Sequence, residues 1–493
     1  MSTTHATTHG LAEVSSSARR WPREHHPLSR AAGDGRPAAP VRILHLGVGN
    51  FFRAHQAWYT DRATDADRWG IAAFTGRTPA IADALRPQDG LYTLLTRAAD
   101  GDRAEVISSL SAVHPADDHE AWLGYWRSPD LAFVTLTVTE AGYLRDATGA
   151  VDLAHPAIAA DVAALRDART APVLTAPAKL VAGLLTRRAA GAGPLALVAC
   201  DNLPGNGAAL AHVVTSLAEE IDPELSGWTA QNVHFVSTMV DRITPATTDE
   251  HRAAVATLTG RADASPVPTE PFSEWIIQGA FPVGRPAWES AGARIVDDVS
   301  PFEHRKLAFL NGSHTLLAYA GPLLGHHTVD EAIADRRCLA WVEQWWDEAG
   351  AHVTLPSAEL AAYRAALLDR YRNPRIRHLL AQIAHDGSQK LPIRTLPTVL
   401  AERAAGRSAA AGARTIAAWI LHLRGCGTPV HDASAEEVLT RVSGALPEAV
   451  KGVLGLWGLE GDDELAAEVL RSAKALSACG PTSGRPTGAR LPS

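Results

Sequence analysis

Cysteine is scarce in this sequence: its 493 residues contain only Cys200, Cys338, Cys426 and Cys479. Four thiols at such wide spacing exclude a disulfide framework and a zinc site of the CxxC type. We therefore predict structural thiols in a reducing cytoplasm, and no metal site. The pair His25-His26 is interpreted as solvated rather than metal-binding.

Long apolar runs and basic surface stripes are also missing. No run of about 18 apolar residues exists, so we expect no membrane span, and the N-terminal stretch lacks the apolar segment of a signal peptide. A net charge of −8 argues against a nucleic-acid partner. The content of 46% hydrophobic and 20% charged residues is typical of a globular protein, here long enough for two or three domains.

Strand-like and helical segments alternate in the first part of the chain. The strand-like runs are 41–46, 70–75, 131–139, 195–200 and 233–236. This alternation predicts a doubly wound α/β domain, whereas the chain after about residue 297 has almost only helical patterns. We predict a Rossmann-type domain over 40–296, a mostly α-helical domain over 297–479, and disordered tails over 1–39 and 480–493.

The first strand ends in a glycine-rich turn, Gly47-Val48-Gly49. In a dinucleotide site the first glycine permits the turn, and the second lets a pyrophosphate approach the backbone. The third position of this fingerprint is Phe52 rather than Gly or Ala. We expect the cofactor to be held by the turn and the start of the next helix, namely Gly47, Val48, Gly49, Asn50, Phe51 and Arg53.

The end of the second strand bears on the choice of nicotinamide. NAD-binding domains usually carry an acid there, whereas this chain has Arg77 and no carboxylate. Arg77 is a candidate for contact with a 2′-phosphate, so NAD and NADP both stay open. The Tyr-xxx-Lys pair of short-chain dehydrogenases is absent, and the cysteines do not form a zinc alcohol dehydrogenase site.

The strongest catalytic candidate is Lys306, in an apolar segment that should form a buried helix. At about 100° per residue, Asn311 lies about 140°, His314 about 80° and Glu303 about 60° around the axis from Lys306. Burial lowers the pKa of a lysine and suits it to proton transfer. The alternative is a lysine that reaches solvent beside locally bonded Asn and His side chains.

Six ordered motifs resemble one known family. They are 47–56, Thr137-Val-Thr-Glu-Ala-Gly-Tyr143, Cys200-Asp-Asn-Leu-Pro-Gly-Asn-Gly207, Met239-Val-Asp-Arg-Ile-Thr-Pro245, Glu270-Pro-Phe-Ser-Glu-Trp275, and Lys306 with Asn311 and His314. Over about residues 40 to 475 the chain resembles the polyol-specific long-chain dehydrogenases, the family of mannitol 2-dehydrogenase and fructuronate reductase. The resemblance implies metal-free nicotinamide chemistry on a small sugar or polyol, in a protein that is often a monomer.

The resemblance also implies roles for individual residues. Lys306 would be the general acid/base, Asn202 and Asn311 would donate hydrogen bonds to the reacting oxygen, and His314 would orient the substrate hydroxyls. Glu303 would relay the proton to solvent. Asp241 and Arg242 would contact substrate or cofactor, with a local ion pair between them as the alternative, and Asp201 could equally cap the helix that follows it.

Gln382 and Lys390 bear on the substrate. Mannitol-oxidising members of the family tend to carry Arg where this chain has Gln382, and the segment 382–392 resembles fructuronate reductases. Lys390 or a nearby Arg would meet a sugar-acid carboxylate; alternatively, Lys390 caps its helix. D-fructuronate/D-mannonate is therefore the first expectation. Mannitol/fructose and mannitol 1-phosphate/fructose 6-phosphate are the rivals, and a non-catalytic nucleotide sensor is remote because Lys306, Asn311 and His314 are intact.

Overall fold

A computed structural model describes residues 25–76 and 78–479. The predicted cofactor residue Arg77 and the parts of the predicted tails at 1–24 and 480–493 lie outside the described residues. The strands are β1 (His26–Pro27), β2 (Val41–Leu46), β3 (Gly70–Phe74), β4 (Tyr92–Ala98), β5 (Gly101–Ile107), β6 (Leu110–His114), β7 (Phe133–Leu136), β8 (Leu195–Ala199), β9 (Val233–Asp241), β10 (Arg261–Ala262), β11 (Val267–Thr269), β12 (Glu274–Gln278) and β13 (Arg294–Ile295).

The helices fall into two groups. Those that accompany the strands are α1 (Asn50–Ala54), α2 (Gln56–Arg62), α3 (Ala80–Leu85), α4 (His119–Trp126), α5 (Pro156–Asp167), α6 (Ala176–Ala190), α7 (Asn206–Ile221), α8 (Pro223–Asn232) and α9 (Asp249–Thr259). Those after the last strand are α10 (Ser300–Arg305), α11 (Gly312–Leu323), α12 (Val329–Ala334), α13 (Arg336–Gly350), α14 (Ser357–Tyr371), α15 (Leu380–Ile383), α16 (Gly387–Arg394), α17 (Leu396–Ala404), α18 (Ala410–Leu423), α19 (Ala435–Arg441), α20 (Leu446–Gly455) and α21 (Asp463–Cys479).

Eight strands form the main sheet, in the order β13-β12-β9-β8-β7-β2-β3-β6. All neighbours pair in parallel except β12 and β9. Every residue of β8 is buried, as expected for a parallel strand with helices on both faces. The chain runs outward from β2 to β3 and, on the other side, from β7 to β8. The sheet therefore has a topological switch point between β2 and β7, where α/β proteins bind their ligands.

The helical part packs around α11, which is buried along nearly its whole length. Its core includes Phe309, Leu316, Leu317, Trp345 and Trp419, all at most 1% exposed. The predicted fold class, a Rossmann-type domain followed by a mostly helical domain, is confirmed. No helix within 25–76 and 78–479 combines the length and apolarity needed to span a bilayer.

The predicted N-terminal tail is too long. Leu28 is fully buried and donates its backbone N–H to Ala262. Arg30 donates to the carbonyls of Ser108 and Leu110, and β1 pairs with β10. The prediction of disorder up to residue 39 is therefore wrong for residues 25–39, because one apolar anchor and one arginine tie this segment to the Rossmann-type domain.

Candidate active site

The residues Lys306–Asn311 form a π-helix between α10 and α11. The N–H of Gly312 reaches back to the carbonyl of Leu307, the five-residue step of a π-helix. The predicted regular α-helix is wrong over these residues. The wider turn brings residues five apart closer to one face, so Lys306 and Asn311 converge better than the 140° expected of an α-helix.

Two tryptophans of α13 hold this widened turn. The indole N–H of Trp345 lies 2.7 Å from the carbonyl oxygen of Ala308, and that of Trp346 lies 3.0 Å from the carbonyl oxygen of Phe309. A Cβ on Gly312 would lie 2.6 Å from the Trp345 indole, so only glycine allows this approach. The irregular backbone keeps its carbonyls satisfied in a buried setting.

Lys306 joins the helical domain to the ends of two strands. Its Nζ lies 2.6 Å from Oδ1 of Asn202, which follows β8, and 2.5 Å from the carbonyl oxygen of Val240 in β9. Burial lowers the pKa of Lys306, and the negative charge of Asp241 acts in the opposite direction. A lysine in this setting releases its proton more readily than a solvated one.

Asn311 and His314 line the same cavity as Lys306, with a volume of about 480 Å³. His314 is 7% exposed, and its ring packs 4.9 Å from Tyr371 and 5.1 Å from His378. Its Nε2 has no hydrogen-bond partner among the described residues. Because buried polar atoms are normally satisfied, a ligand hydroxyl in the cavity is a natural partner for this nitrogen.

Glu303 lies one turn before Lys306 on α10. Its carboxylate accepts a hydrogen bond from the N–H of Gly205 at 3.1 Å, and burial raises its pKa. Glu303, Lys306 and Asn202 all line a second, adjoining cavity of about 240 Å³. The structure therefore places all five predicted catalytic residues around two neighbouring cavities.

Asp241 and Arg242 both line the larger cavity, but they do not form the local ion pair that was the alternative. Asp241 accepts from both guanidinium ends of Arg370, at 2.8 and 2.9 Å. Arg242 donates to the carbonyl of Ala54 at 2.6 Å and covers the Trp58 ring. That alternative is wrong, because each side chain bonds to other buried groups.

Of the two predicted substrate residues in the helical domain, one lines the larger cavity and the other does not. Lys390 lines the larger cavity, and its ammonium donates to the carbonyl of Ile383 at 3.1 Å. Gln382 is exposed on the short helix α15 and lines neither cavity. The prediction of Gln382 as a substrate contact is therefore not supported by its position, because Gln382 does not line the cavities that Lys306 reaches.

A further cavity of about 410 Å³ lies at the switch point, lined by Gly47, Gly76, Thr137, Thr139 and Lys179. Gly47 has φ +108°, and a Cβ there would lie 2.9 Å from the carbonyl oxygen of Thr137. Only glycine fits, and it leaves bare backbone beside open space. This arrangement fits a dinucleotide whose phosphates approach the turn closely.

The remaining predicted cofactor residues have mixed positions. Phe51 lines the larger cavity, Val48 is buried, and Gly49 is the exposed N-cap residue of α1. Asn50 donates its amide to the carbonyl of Pro245 at 2.8 Å. The Arg53 side chain is fully buried and donates to Ser265 and Asn50, so its position does not support the predicted cofactor contact.

Phe52 explains the departure from the glycine fingerprint. Its ring stacks 3.4 Å from the His45 ring of β2, in the space that a third glycine would leave for close helix–strand packing. The helix expected after Gly49 is also broken at His55, where φ is −123° and ψ −91°. The turn is therefore followed by two short helices rather than one.

The sequence did not single out several polar residues that line the larger cavity, among them Glu140, His378, Asp386 and Arg394. It also missed the Arg370 bridge and the presence of Lys179 at the switch-point cavity. Arg394 follows Lys390 by one helical turn, so the helical pattern of 387–394 could have flagged it. No group of three or more His, Cys, Asp or Glu residues within 25–76 and 78–479 is arranged to hold a metal ion.

The family models decide the classification. The model described as "Mannitol dehydrogenase Rossmann domain" matches residues 41–290, and the "Mannitol dehydrogenase C-terminal domain" matches residues 298–476. The chain belongs to the mannitol dehydrogenase family. It is therefore an oxidoreductase of this family, as the six sequence motifs predicted.

Known members of the mannitol dehydrogenase family match over most of the chain. The D-mannonate oxidoreductase of Escherichia coli (strain K12) is 38% identical, covering 89% of this chain and 92% of its own. The mannitol 2-dehydrogenase of Cereibacter sphaeroides is 38% identical, with 75% and 78% covered. The Pseudomonas fluorescens mannitol 2-dehydrogenase, solved as a ternary complex with NAD and D-mannitol, is 33% identical with a TM-score of 0.74, covering 92% and 94%.

Proposed function

We propose that this protein is a nicotinamide-dependent secondary-alcohol dehydrogenase that interconverts D-fructuronate and D-mannonate, with Lys306 as general acid/base. The observation that carries the proposal is the partly buried Lys306 ammonium, held by Asn202 and Val240 in a cavity shared with Asn311 and His314. A nucleotide sensor without turnover has no need of a base at this position.

In the oxidation, neutral Lys306 accepts the proton of the hydroxyl at the reacting carbon; in the reduction, its ammonium returns that proton. Asn202 accepts from Lys306 through Oδ1, which leaves its amide N–H groups and those of Asn311 to stabilise negative charge on the reacting oxygen. His314 orients a neighbouring hydroxyl. Glu303, which lines the smaller cavity together with Lys306, exchanges the proton of Lys306 with solvent.

The crevice between β2 and β7 is the proposed cofactor site, with Gly47, Thr137 and Lys179 around it. A nicotinamide cofactor bound there would take up or supply the hydride. NAD is the expected cofactor, because the Pseudomonas fluorescens relative was solved with NAD. No carboxylate is among the described residues around this cavity, so the repulsion that usually excludes the 2′-phosphate of NADP is missing.

A sugar acid is the proposed substrate because cations face the larger cavity. Lys390 and Arg394 line it together with Glu140 and Asp386, while the carboxylate of Asp241 is paired with Arg370. The D-mannonate oxidoreductase relative also covers more of the chain than the Cereibacter mannitol 2-dehydrogenase. Mannitol/fructose is the second candidate, supported by the latter's equal identity of 38%.

The test is steady-state reduction of fructuronate, fructose and fructose 6-phosphate, each with NADH and NADPH. A charge-assisted contact contributes about 1.5–3 kcal/mol, so kcat/KM for fructuronate should exceed that for fructose by roughly ten- to hundredfold. If fructose is turned over as fast or faster, mannitol/fructose replaces D-fructuronate/D-mannonate as the proposed substrate pair. If fructose 6-phosphate is preferred, mannitol 1-phosphate/fructose 6-phosphate replaces it. A preference for NADH above about a thousandfold, roughly 4 kcal/mol, would contradict the weak discrimination.

A further inference from the structure

Arg394 is a cation at the larger cavity whose guanidinium has no hydrogen-bond or ion-pair partner among the described residues. It ends α16 and lines the larger cavity together with Lys306 and His314. Its guanidinium makes no hydrogen bond or ion pair with any other residue in 25–76 and 78–479. Because a partly desolvated charge without a partner is unfavourable, this position suits an anionic ligand group.

The other cations around this cavity already have partners. Lys306 donates to Asn202 and Val240, Lys390 donates to the carbonyl of Ile383, and Arg242 donates to the carbonyl of Ala54. Each of these cations therefore gives at least one donor to the protein itself. Arg394 differs because none of its guanidinium N–H groups bonds to another residue in 25–76 and 78–479.

The nearby carboxylates do not occupy this guanidinium either. Glu140 and Asp386 line the cavity, but Asp386 accepts the N–H of Ala433 at 3.1 Å, and Glu140 acts on Arg394 through its charge, without a hydrogen bond. The positive charge of Arg394 in turn contributes to the lowered pKa values of Lys306 and His314. Arg394 is therefore within electrostatic reach of the reacting end of the cavity.

We infer that Arg394 binds the carboxylate of the sugar-acid substrate and sets the preference for acids over neutral ketoses. The inference rests on the proposed function, since it places the substrate carbonyl at Lys306. A guanidinium presents two parallel N–H groups that match a carboxylate, which an ammonium such as Lys390 does not. A phosphate would engage the same fork, so the choice between the two anions belongs to the experiment.

The experiment measures kcat/KM for fructuronate, fructose and fructose 6-phosphate in the wild type, Arg394→Gln and Arg394→Lys. The control is Arg471→Gln, because Arg471 is exposed on α21 and lines neither cavity. We expect Arg394→Gln to lower the fructuronate-to-fructose ratio at least tenfold, mainly through KM for fructuronate. Arg394→Lys should lose less, since it keeps the charge but not the fork, and the control should keep the wild-type ratio.

The outcomes separate the inference from the proposed function. A wild type that prefers fructuronate, with the same ratio in Arg394→Gln, overturns the role of Arg394 alone. A wild type that prefers fructose overturns both. If the wild type prefers fructose 6-phosphate and Arg394→Gln removes that preference, the guanidinium binds a phosphate, and the inference that it binds a carboxylate is overturned. NADH binding, measured by fluorescence in each variant, shows that the fold is intact; if Arg394→Gln does not fold, the ratio in Arg394→Lys decides.

Discussion

Lys306 is the residue on which the proposed chemistry depends, and its surroundings determine the form in which it works. Burial lowers its pKa, while Asp241 keeps that shift in check. Its two acceptors, Asn202 and the Val240 carbonyl, hold the ammonium form in place. The proton is therefore held firmly enough to be positioned and loosely enough to be released during turnover.

We expect Lys306→Ala to lower kcat by about 10²–10⁴-fold, the usual contribution of a general acid/base, with little change in NADH affinity. In the wild type, kcat/KM for oxidation should rise with pH, because oxidation needs the neutral amine. The same parameter for reduction should fall with pH, because reduction needs the ammonium. Both midpoints should lie below the pKa of a solvated lysine, since burial shifts it downward.

These profiles are measured by initial rates in both directions over a series of buffers. Lys474→Ala is the matched control, because Lys474 is exposed on α21. Activity of Lys306→Ala within about threefold of the wild type would end the assignment, because a general base is not dispensable. An unchanged pH profile in that variant would point to another titrating group.

At the scale of elements, the π-helix Lys306–Asn311 is the feature that organises the site. It brings Lys306 and Asn311 to one cavity, and Trp345 and Trp346 bond two of its carbonyls from outside. Such insertions are less stable than a regular helix and recur at functional sites. The geometry of the active site is therefore supported by a helix that contributes no side chain to either cavity.

We expect Trp345→Phe to lower kcat by more than its loss of folding stability would explain. The substitution keeps a smaller aromatic ring, and the buried carbonyl of Ala308 loses its donor at 2.7 Å, which costs about 1–3 kcal/mol. If the turn relaxes toward an α-helix, Asn311 moves away from Lys306 and kcat falls. Kinetics and thermal unfolding of Trp345→Phe are compared with Trp341→Phe on the same helix, whose ring packs against Arg414. Equal kcat in both variants would contradict the role of this bond.

Much of the fold and of the candidate site could be predicted from the sequence. The exceptions depend on contacts between residues that are far apart in the sequence. The first strand and the Gly47 turn depend on local patterns, so they were predicted correctly as elements. The spacing of Lys306, Asn311 and His314 correctly brought them to one cavity, although their backbone is not the regular helix that was expected. The π-turn depends on Trp345 and Trp346, which are remote in the sequence. The helical pattern places Arg394 one turn after Lys390, but that it lines the cavity depends on how α16 packs against the rest of the fold.

At the scale of the whole molecule, Arg370 of α14 links the helical domain to the sheet domain. It donates to Asp241 of β9 and to Glu270, at 2.8–2.9 Å, and all three side chains are at most 4% exposed. Burial acts to raise the pKa of Asp241, but the charge and hydrogen bonds of Arg370 overcome it and hold that pKa below its usual range. One guanidinium thus compensates two buried carboxylates where the domains meet.

We expect Arg370→Met to lower the free energy of unfolding by about 3–5 kcal/mol, because it leaves uncompensated charge in the interior. Arg103→Met is the matched control, since the ion pair of Arg103 with Asp100 is exposed on both sides and such pairs contribute at most about 1 kcal/mol. Denaturant unfolding of both variants near neutral pH makes the comparison.

The difference in the free energy of unfolding between the wild type and Arg370→Met should depend on pH, and this dependence provides a sharper test. In the wild type the depressed pKa of Asp241 contributes stability above the pKa of the unfolded chain, and this is lost as the pH falls through the lower, folded value. Arg370 acts to lower the pKa values of both Asp241 and Glu270, so without it both values should lie higher than in the wild type. The variant therefore regains stability relative to the wild type as the pH falls and the carboxylates take up protons. A deficit that stays constant from neutral to acidic pH would show that Arg370 stabilises the domain contact by packing rather than by charge.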